Sequence, residues 1–296
     1  MLKTHKIALD PNNKQMAVLA RSAGVARFAY NWALSEWSRM YAEWQIDNDK
    51  PKPNQMLLRR NLNAIKRTEF PWMLDVTKCA PQEAIINLGR AFKNFFEGRG
   101  AYPAFKKKGV HDSFKVSSGF FRVEDKTIKI PHAGKIRMRE ELRFDGTPKS
   151  VTISRTANRW FASIAVEVSD TAPQTNCHIP AIGIDVGVND FVQDDGSKIV
   201  IPQAYRGAEK RLRRAQKALS RKEKGSKNRK KAQMKVAKLH ARASSIRSDF
   251  LHKYTTSLAR NARTIVIEDL NVKGMAKNHH LAKSIANAAF GEFRRQ

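Results

Sequence analysis

Ala181-Ile182-Gly183-Ile184-Asp185-Val186-Gly187-Val188-Asn189-Asp190 is an apolar run with an acid set inside it. Its length and the turn residues around it make it a strand with a buried face. A carboxylate there is costly unless it is paired, hydrogen-bonded or held on a metal. Asp194-Asp195-Gly196 then signals a turn, and Lys198–Pro202 pairs back as the second strand of a hairpin. Farther on, Thr264-Ile265-Val266-Ile267-Glu268-Asp269-Leu270 reads as another buried strand that again ends in acid. If the two strands are neighbours, Asp185 and Glu268 meet at one end of a sheet. Two or three such acids would hold Mg²⁺ or Mn²⁺ for phosphodiester hydrolysis, and Gly187 would admit a phosphate backbone. The residues equally permit buried acids satisfied by Lys, Arg or backbone N–H groups.

The segment between these strands is strongly basic. Arg206 to Arg263 holds 20 Lys and Arg against 3 acids, a net +17 out of +29 for all 296 residues. Apolar residues recur at helical spacing through Leu212, Ala215 and Leu219, then through Met234, Ala237, Leu239 and Ile246. Gly225 and Ser226 break the pattern, so a basic helical hairpin spans 206–263. A solvated charged face normally interleaves its signs. Nearly unopposed cations repel one another unless phosphates neutralise them. The candidate phosphate contacts on the hairpin are Arg211, Arg213, Arg214, Lys217, Arg221, Lys222, Lys227, Arg229, Lys230, Lys231 and Lys235. A loop bracketed by Gly98, Gly100, Pro103 and Gly109 adds Lys106, Lys107 and Lys108.

Toward the N-terminus, Leu2–Leu9 alternates as a strand, and Pro11 with Asn12-Asn13 opens a helix. That helix carries a stripe of Met16, Leu19, Ala23, Phe28, Trp32, Trp37, Tyr41 and Trp44, read as core; one of Phe28, Tyr30 and Trp32 could instead stack on a base. Two more helices follow, near Gln55–Lys66 and Pro81–Glu97. Short alternating runs then fill 113–168 and indicate a small β-barrel or sandwich. The layout is therefore a β-barrel of residues 1–10 and 98–170, a helical module of 11–97, a linker at 171–180 and an α/β domain from 181 to 296. A last helix starts near His280, and the pair His279-His280 reads as solvent-facing loop.

Composition narrows the function. The apolar fraction of 41 % supports a folded core, and no run is long enough to cross a membrane. Two cysteines, Cys79 and Cys177, exclude a disulfide framework and a four-Cys zinc site within these residues. A cytosolic setting and a polyanionic partner are expected, with nucleic acid the first candidate.

Gly183-Ile184-Asp185-Val186-Gly187-Val188 followed by Ile267-Glu268-Asp269-Leu270 resembles the first two motifs of the RuvC-type, RNase H-like nuclease domain. The wording is most similar to that of the TnpB family, transposon-encoded, RNA-guided proteins related to type V CRISPR effectors. Leu2–Gln15, Phe28–Trp32, Ile267–Met275 and Gly291–Gln296 also resemble that family, so the likeness spans essentially the whole chain. It implies a wedge β-barrel, an inserted helical recognition module and a RuvC domain carrying the basic hairpin. It implies a guide RNA and a double-stranded DNA target, with Asp185 and Glu268 as two of three metal-binding acids. The family pattern continues with a Cys-x-x-Cys zinc ribbon and a third aspartate, neither of which follows Glu268 here. Glu292 and Asp269 are the remaining acids nearby. Two expectations result: guided DNA binding without cleavage, as in nuclease-dead, repressor-like members, or a Mg²⁺-dependent endonuclease with its C-terminal part outside this chain. A basic RNA-binding structural protein is the alternative of another class.

Overall fold

The computed structural model describes residues 1–169, 178–275, 277–278, 280 and 282–296. Two compact units result, Met1–Asp170 and Thr171–Gln296.

The first unit begins with strand β1 (Leu2–Asp10) and then a run of helices before the rest of its sheet. Helix α1 spans Asn13–Ile46. It starts where it does because Asn12 and Gln15 form a reciprocal capping box. Asn54 caps α2 (Gln55–Ile65) by accepting from the Met56 and Leu57 N–H groups. A 3-10 turn at Pro71–Asp75 leads to α3 (Cys79–Phe96). Strands β2 (Ser113–Ser117), β3 (Arg122–Glu124), β4 (Thr127–Ile130), β5 (Gly134–Met138), β6 (Thr147–Thr156) and β7 (Arg159–Glu167) follow. With β1 they form one antiparallel seven-stranded sheet in the order β2-β6-β7-β1-β5-β4-β3. The hydrogen-bonded ladder runs from β2 at one end to β3 at the other.

Helices and sheet share a single core. Leu19, Ala23, Ala29 and Leu34 of α1 and Leu88 and Phe92 of α3 belong to the same buried cluster as Ile136, Ile153 and Ile164 of the sheet. The aromatic stripe of α1 packs rather than projects. Phe28 sits edge-on to Phe70 and Trp72, and Trp37 stacks on Phe92 with centroids 4.0 Å apart. The tip of the helix is looser, and Tyr41 lies at the surface.

The second unit is built on four strands: β8 (Ile179–Val186), β9 (Asp190–Gln193), β10 (Lys198–Val200) and β11 (Ala262–Ile267). Their order is β10-β9-β8-β11, with β8–β9 and β9–β10 antiparallel and β8–β11 parallel. Helices α4 (Ala204–Ser220) and α5 (Lys227–Asn261) make the crossover between the antiparallel strands and β11. Short helices α6 (Val272–Met275), α7 (Ala282–Ala288) and α8 (Phe290–Arg295) complete the unit. Its core gathers Ile182, Ile184, Val186 and Phe191 against Leu251, Tyr254 and Leu258 of α5 and Phe293 of α8. Phe191, Tyr254 and Phe293 stack on one another at centroid distances of 4.5 to 5.9 Å.

The second unit departs from several sequence expectations. Ala181–Asp190 is not one strand. It breaks after Val186 and restarts at Asp190, and Lys198–Val200 pairs with β9 rather than with β8. The cause is a tight turn at Gly187, where a Cβ would lie 2.6 Å from the Asp190 carbonyl oxygen. That contact gives the glycine a structural reason of its own. The 171–180 linker lies mostly outside the described residues, but Ile179 and Pro180 already belong to β8. Ala262 and Arg263, placed in the hairpin from sequence, open β11. The single terminal helix is two helices, broken at Ala289, whose φ is +56°. The strand Thr264–Ile267 is not buried: Ile265 and Val266 are exposed.

Candidate nucleic-acid interface and paired carboxylates

The alternation of β8 solves the problem that its sequence posed. Ile182, Ile184 and Val186 are buried on one face, and Asp185 is exposed on the other. The acid stands in an apolar run because only alternate residues of that run enter the core. No burial cost arises.

In the parallel ladder Val266 pairs with Gly183 and Ile267 with Ile184. One residue farther, Asp185 and Glu268 reach the same level, and paired residues of parallel strands face the same way. Both carboxylates line one open cleft of about 470 Å³, together with Gly183, Val192, Asp194 and Val266. Asp194, read from sequence only as a turn residue, is therefore a third acid of this cleft. It is partly committed: its Oδ2 accepts from the Gly183 N–H at 2.9 Å. Nothing in the DDG turn pattern signals this, because the contact depends on how the β9–β10 turn folds back over β8. No group of three or more His, Cys, Asp or Glu side chains is spaced to hold a metal among the described residues.

The other two nearby acids are occupied. Asp269 forms an ion pair with Arg294. Glu292 accepts from Arg295 and Gln296, and these hydrogen bonds bring its carboxyl down to about 2. His279 lies outside the described residues, and the His280 N–H donates to Asn278 Oδ1.

The hairpin of α4 and α5 presents its cations to solvent. Leu212 and Ala215 of α4 and Ala243 of α5 are buried, while Arg211, Arg213, Arg214, Lys217, Arg221, Lys222, Lys227, Lys230, Lys231 and Lys235 are exposed. Arg213 has a weak partner in Glu209, 3.4 Å away one turn back. Arg229 departs from expectation. It is half-buried, and its Nη1 donates to the carbonyls of Leu219 and Lys222 at 3.3 and 2.8 Å. Leu219 lies in the last turn of α4 and Lys222 just beyond it, so Arg229 closes the hairpin at a helix C-terminus. Its guanidinium is used inside the protein.

Lys106 differs from Lys107 and Lys108 in the same manner. Its backbone is clamped by Asn31, which accepts from the Lys106 N–H at 2.8 Å and donates to its carbonyl at 3.0 Å. Although the residue is exposed as a whole, its Nζ sits 4.0 Å from the Tyr30 ring centroid. Loss of water around the ammonium holds its pKa below the ordinary lysine range.

Comparison with known proteins adds a lineage. Residues 163–279 match the family model OrfB_IS605, described as "Probable transposase". Residues 1–45 match HTH_OrfB_IS605, described as a helix-turn-helix domain. In the structure that segment is β1 followed by α1, one unbroken helix. The chain is 33 % identical over 279 residues to the protein named "Putative RNA-guided DNA endonuclease InsQ" of Escherichia coli K12, covering 94 % of this chain and 68 % of that one. It is 36 % identical over 300 residues to the "Putative RNA-guided DNA endonuclease" of Streptomyces pristinaespiralis, covering 99 % and 73 %. A CRISPR-Cas12f ternary complex aligns at a TM-score of 0.36 and 14 % identity, over 95 % of this chain and 69 % of that one.

Proposed function

The chain belongs to the TnpB family of OrfB_IS605-type proteins, and from that membership we propose that it binds a guide RNA and a matching double-stranded DNA. The observation that carries the reading is the exposed cationic hairpin of α4 and α5. Ten of its eleven candidate side chains face solvent. Such a surface neutralises phosphates without reading bases, which suits a protein whose sequence information comes from base pairing. The residues charged with phosphate contact on the open surface are those ten together with Lys107 and Lys108. In this reading the second unit is a RuvC-type, RNase H-like domain. The support is its strand order: three antiparallel strands, a helical crossover and a parallel fourth strand beside the first. The first unit is read as the wedge with its inserted helical recognition module.

Asp185 and Glu268 would hold a divalent Mg²⁺ or Mn²⁺. Both are hard oxygen donors, both face the cleft, and the ladder brings them level. The ion would supply Lewis-acid polarisation of a phosphodiester and activation of a water. Asp194 Oδ2 keeps the Gly183 N–H and so fixes the turn that walls the cleft. Two exposed carboxylates in an open cleft grip such an ion loosely, and the first reading for these 296 residues is guided binding without strand cleavage, as in a repressor. The second reading is a metal-dependent endonuclease, favoured by the common level of Asp185 and Glu268.

One experiment separates them. A labelled duplex matching the RNA that co-purifies with the protein is incubated with the complex and Mg²⁺, then run on native and denaturing gels. A shifted duplex with intact strands supports the first reading. Strands cut by the wild type and left whole by Asp185→Ala support the second. A duplex that does not shift overturns both.

A further inference from the structure

We infer that the first unit carries a dedicated pocket for one phosphate group of a polynucleotide, formed by Arg90, Lys106 and Lys115 with Asn87, Ser113 and Thr152. The pocket has a volume of about 280 Å³ and lies where α1 and α3 meet β2 and β6. Three cations and three neutral hydrogen-bonding side chains line it, a donor set suited to a tetrahedral oxyanion.

The charge balance supports an anion. Glu83 is the carboxylate that pairs with Lys115 of the pocket, and it is 6 % exposed. Its Oε1 accepts from Ser117 Oγ at 2.7 Å, and its Oε2 lies 3.2 Å from Lys115 Nζ. One acid is thus spent on one cation. Among the described residues neither Arg90 nor Lys106 has an ion-pair partner. Arg90 is exposed on α3 and lines the pocket.

Lys106 is pre-positioned. Asn31 fixes its backbone from both sides, and Tyr30 takes its ammonium. A cation held partly away from water, with no counter-charge, gains most from an arriving dianion or diester. Loss of hydration also lowers its pKa below the ordinary lysine range, so the amine can be followed by its reactivity. The source of the phosphate as nucleic acid rests on the function proposed above; the anion chemistry of the pocket does not.

The test is reductive methylation of the full chain, read lysine by lysine by peptide mass spectrometry. Inorganic phosphate at about twice its dissociation constant should slow Lys106 about threefold, while chloride at equal ionic strength does not. A single-stranded oligonucleotide should protect Lys106 as well as the hairpin lysines. Arg90→Gln, a surface change, should abolish the phosphate effect at Lys106 and leave hairpin protection intact. Equal Lys106 rates in phosphate and chloride would overturn the pocket. Phosphate protection of Lys106 without any oligonucleotide protection of the hairpin would keep the anion site and refute the nucleic-acid reading instead. Hairpin protection with an untouched Lys106 would do the reverse.

Discussion

Ile184 lies opposite Ile267 in the parallel ladder of β8 and β11, and that rung sets Asp185 and Glu268 side by side one residue beyond it. A slip of one residue would turn every β11 side chain to the other face. The pairing is held by the core side of the same rungs, where Ile182 and Ile184 are buried and Ile267 packs against them.

A paired site of this kind predicts weak, separable metal binding. Mn²⁺ binding by the full chain, followed by electron paramagnetic resonance, should weaken by about tenfold in Asp185→Ala and again in Glu268→Ala, since a contact to a charged group carries about 1.5 kcal/mol. Unchanged Mn²⁺ affinity in both variants would place the ion elsewhere.

Salt dependence should divide the hairpin cations into two kinds. Duplex affinity is expected to fall with log[salt] at a slope of about −7 to −9, reflecting about ten phosphate contacts. Lys230→Ala should make that slope shallower by about one unit. Arg229→Ala should leave the slope alone, because its guanidinium is bonded to the Leu219 and Lys222 carbonyls. It should instead loosen the end of α4: amide exchange there is expected to rise about tenfold, matching about 1.4 kcal/mol. The reverse pattern would put Arg229 on the nucleic acid.

Gly187→Ala tests the turn that divides β8 from β9. The added Cβ meets the Asp190 carbonyl at 2.6 Å, so backbone must move. A cost of about 1–3 kcal/mol is expected, as for overpacked sites. Amide exchange at Phe191 and Val192 should accelerate accordingly. Unaltered protection would mean that the turn is loose, and phosphate access would again be the better account of the glycine.

The Glu292 carboxyl, held at about 2 by Arg295 and Gln296, makes the end of the chain acid-sensitive. Its ordinary value is 4.5, so the stabilisation is complete above 4.5 and is lost as pH falls toward about 2. The stacking of Phe293 on Tyr254 should weaken over that window, seen as a change in tyrosine fluorescence. In Glu292→Gln the change between pH 4.5 and 2 should shrink. An identical acid profile in both proteins would remove Glu292 from the effect.

Much of this architecture is visible in local chemistry. Asn12 with Gln15 marks the start of α1, and Asn54 marks the start of α2, because caps are written within three residues. The alternation of Leu2–Leu9 and Trp160–Val166 shows one buried face each. What stays hidden is whatever depends on distant partners. Asp185 reads as a buried acid until β8 has neighbours that define its faces. Arg229 and Lys106 look like any other surface cations, because the Leu219 carbonyl and the Tyr30 ring that take them are far away or across a turn. Asp194 joins the cleft only through the fold of the β9–β10 turn. Gly187 splits a continuous apolar run, and apolar periodicity alone cannot show a three-residue break.

Guided recognition itself is tested most directly by one comparison of affinities. The complex purified with its RNA is titrated with a duplex matching that RNA and with a scrambled duplex of equal length and composition. The matched duplex should bind at least about tenfold tighter, a difference of about 1.4 kcal/mol that disappears after ribonuclease treatment. Equal affinity for the two duplexes, before and after that treatment, would contradict guided recognition.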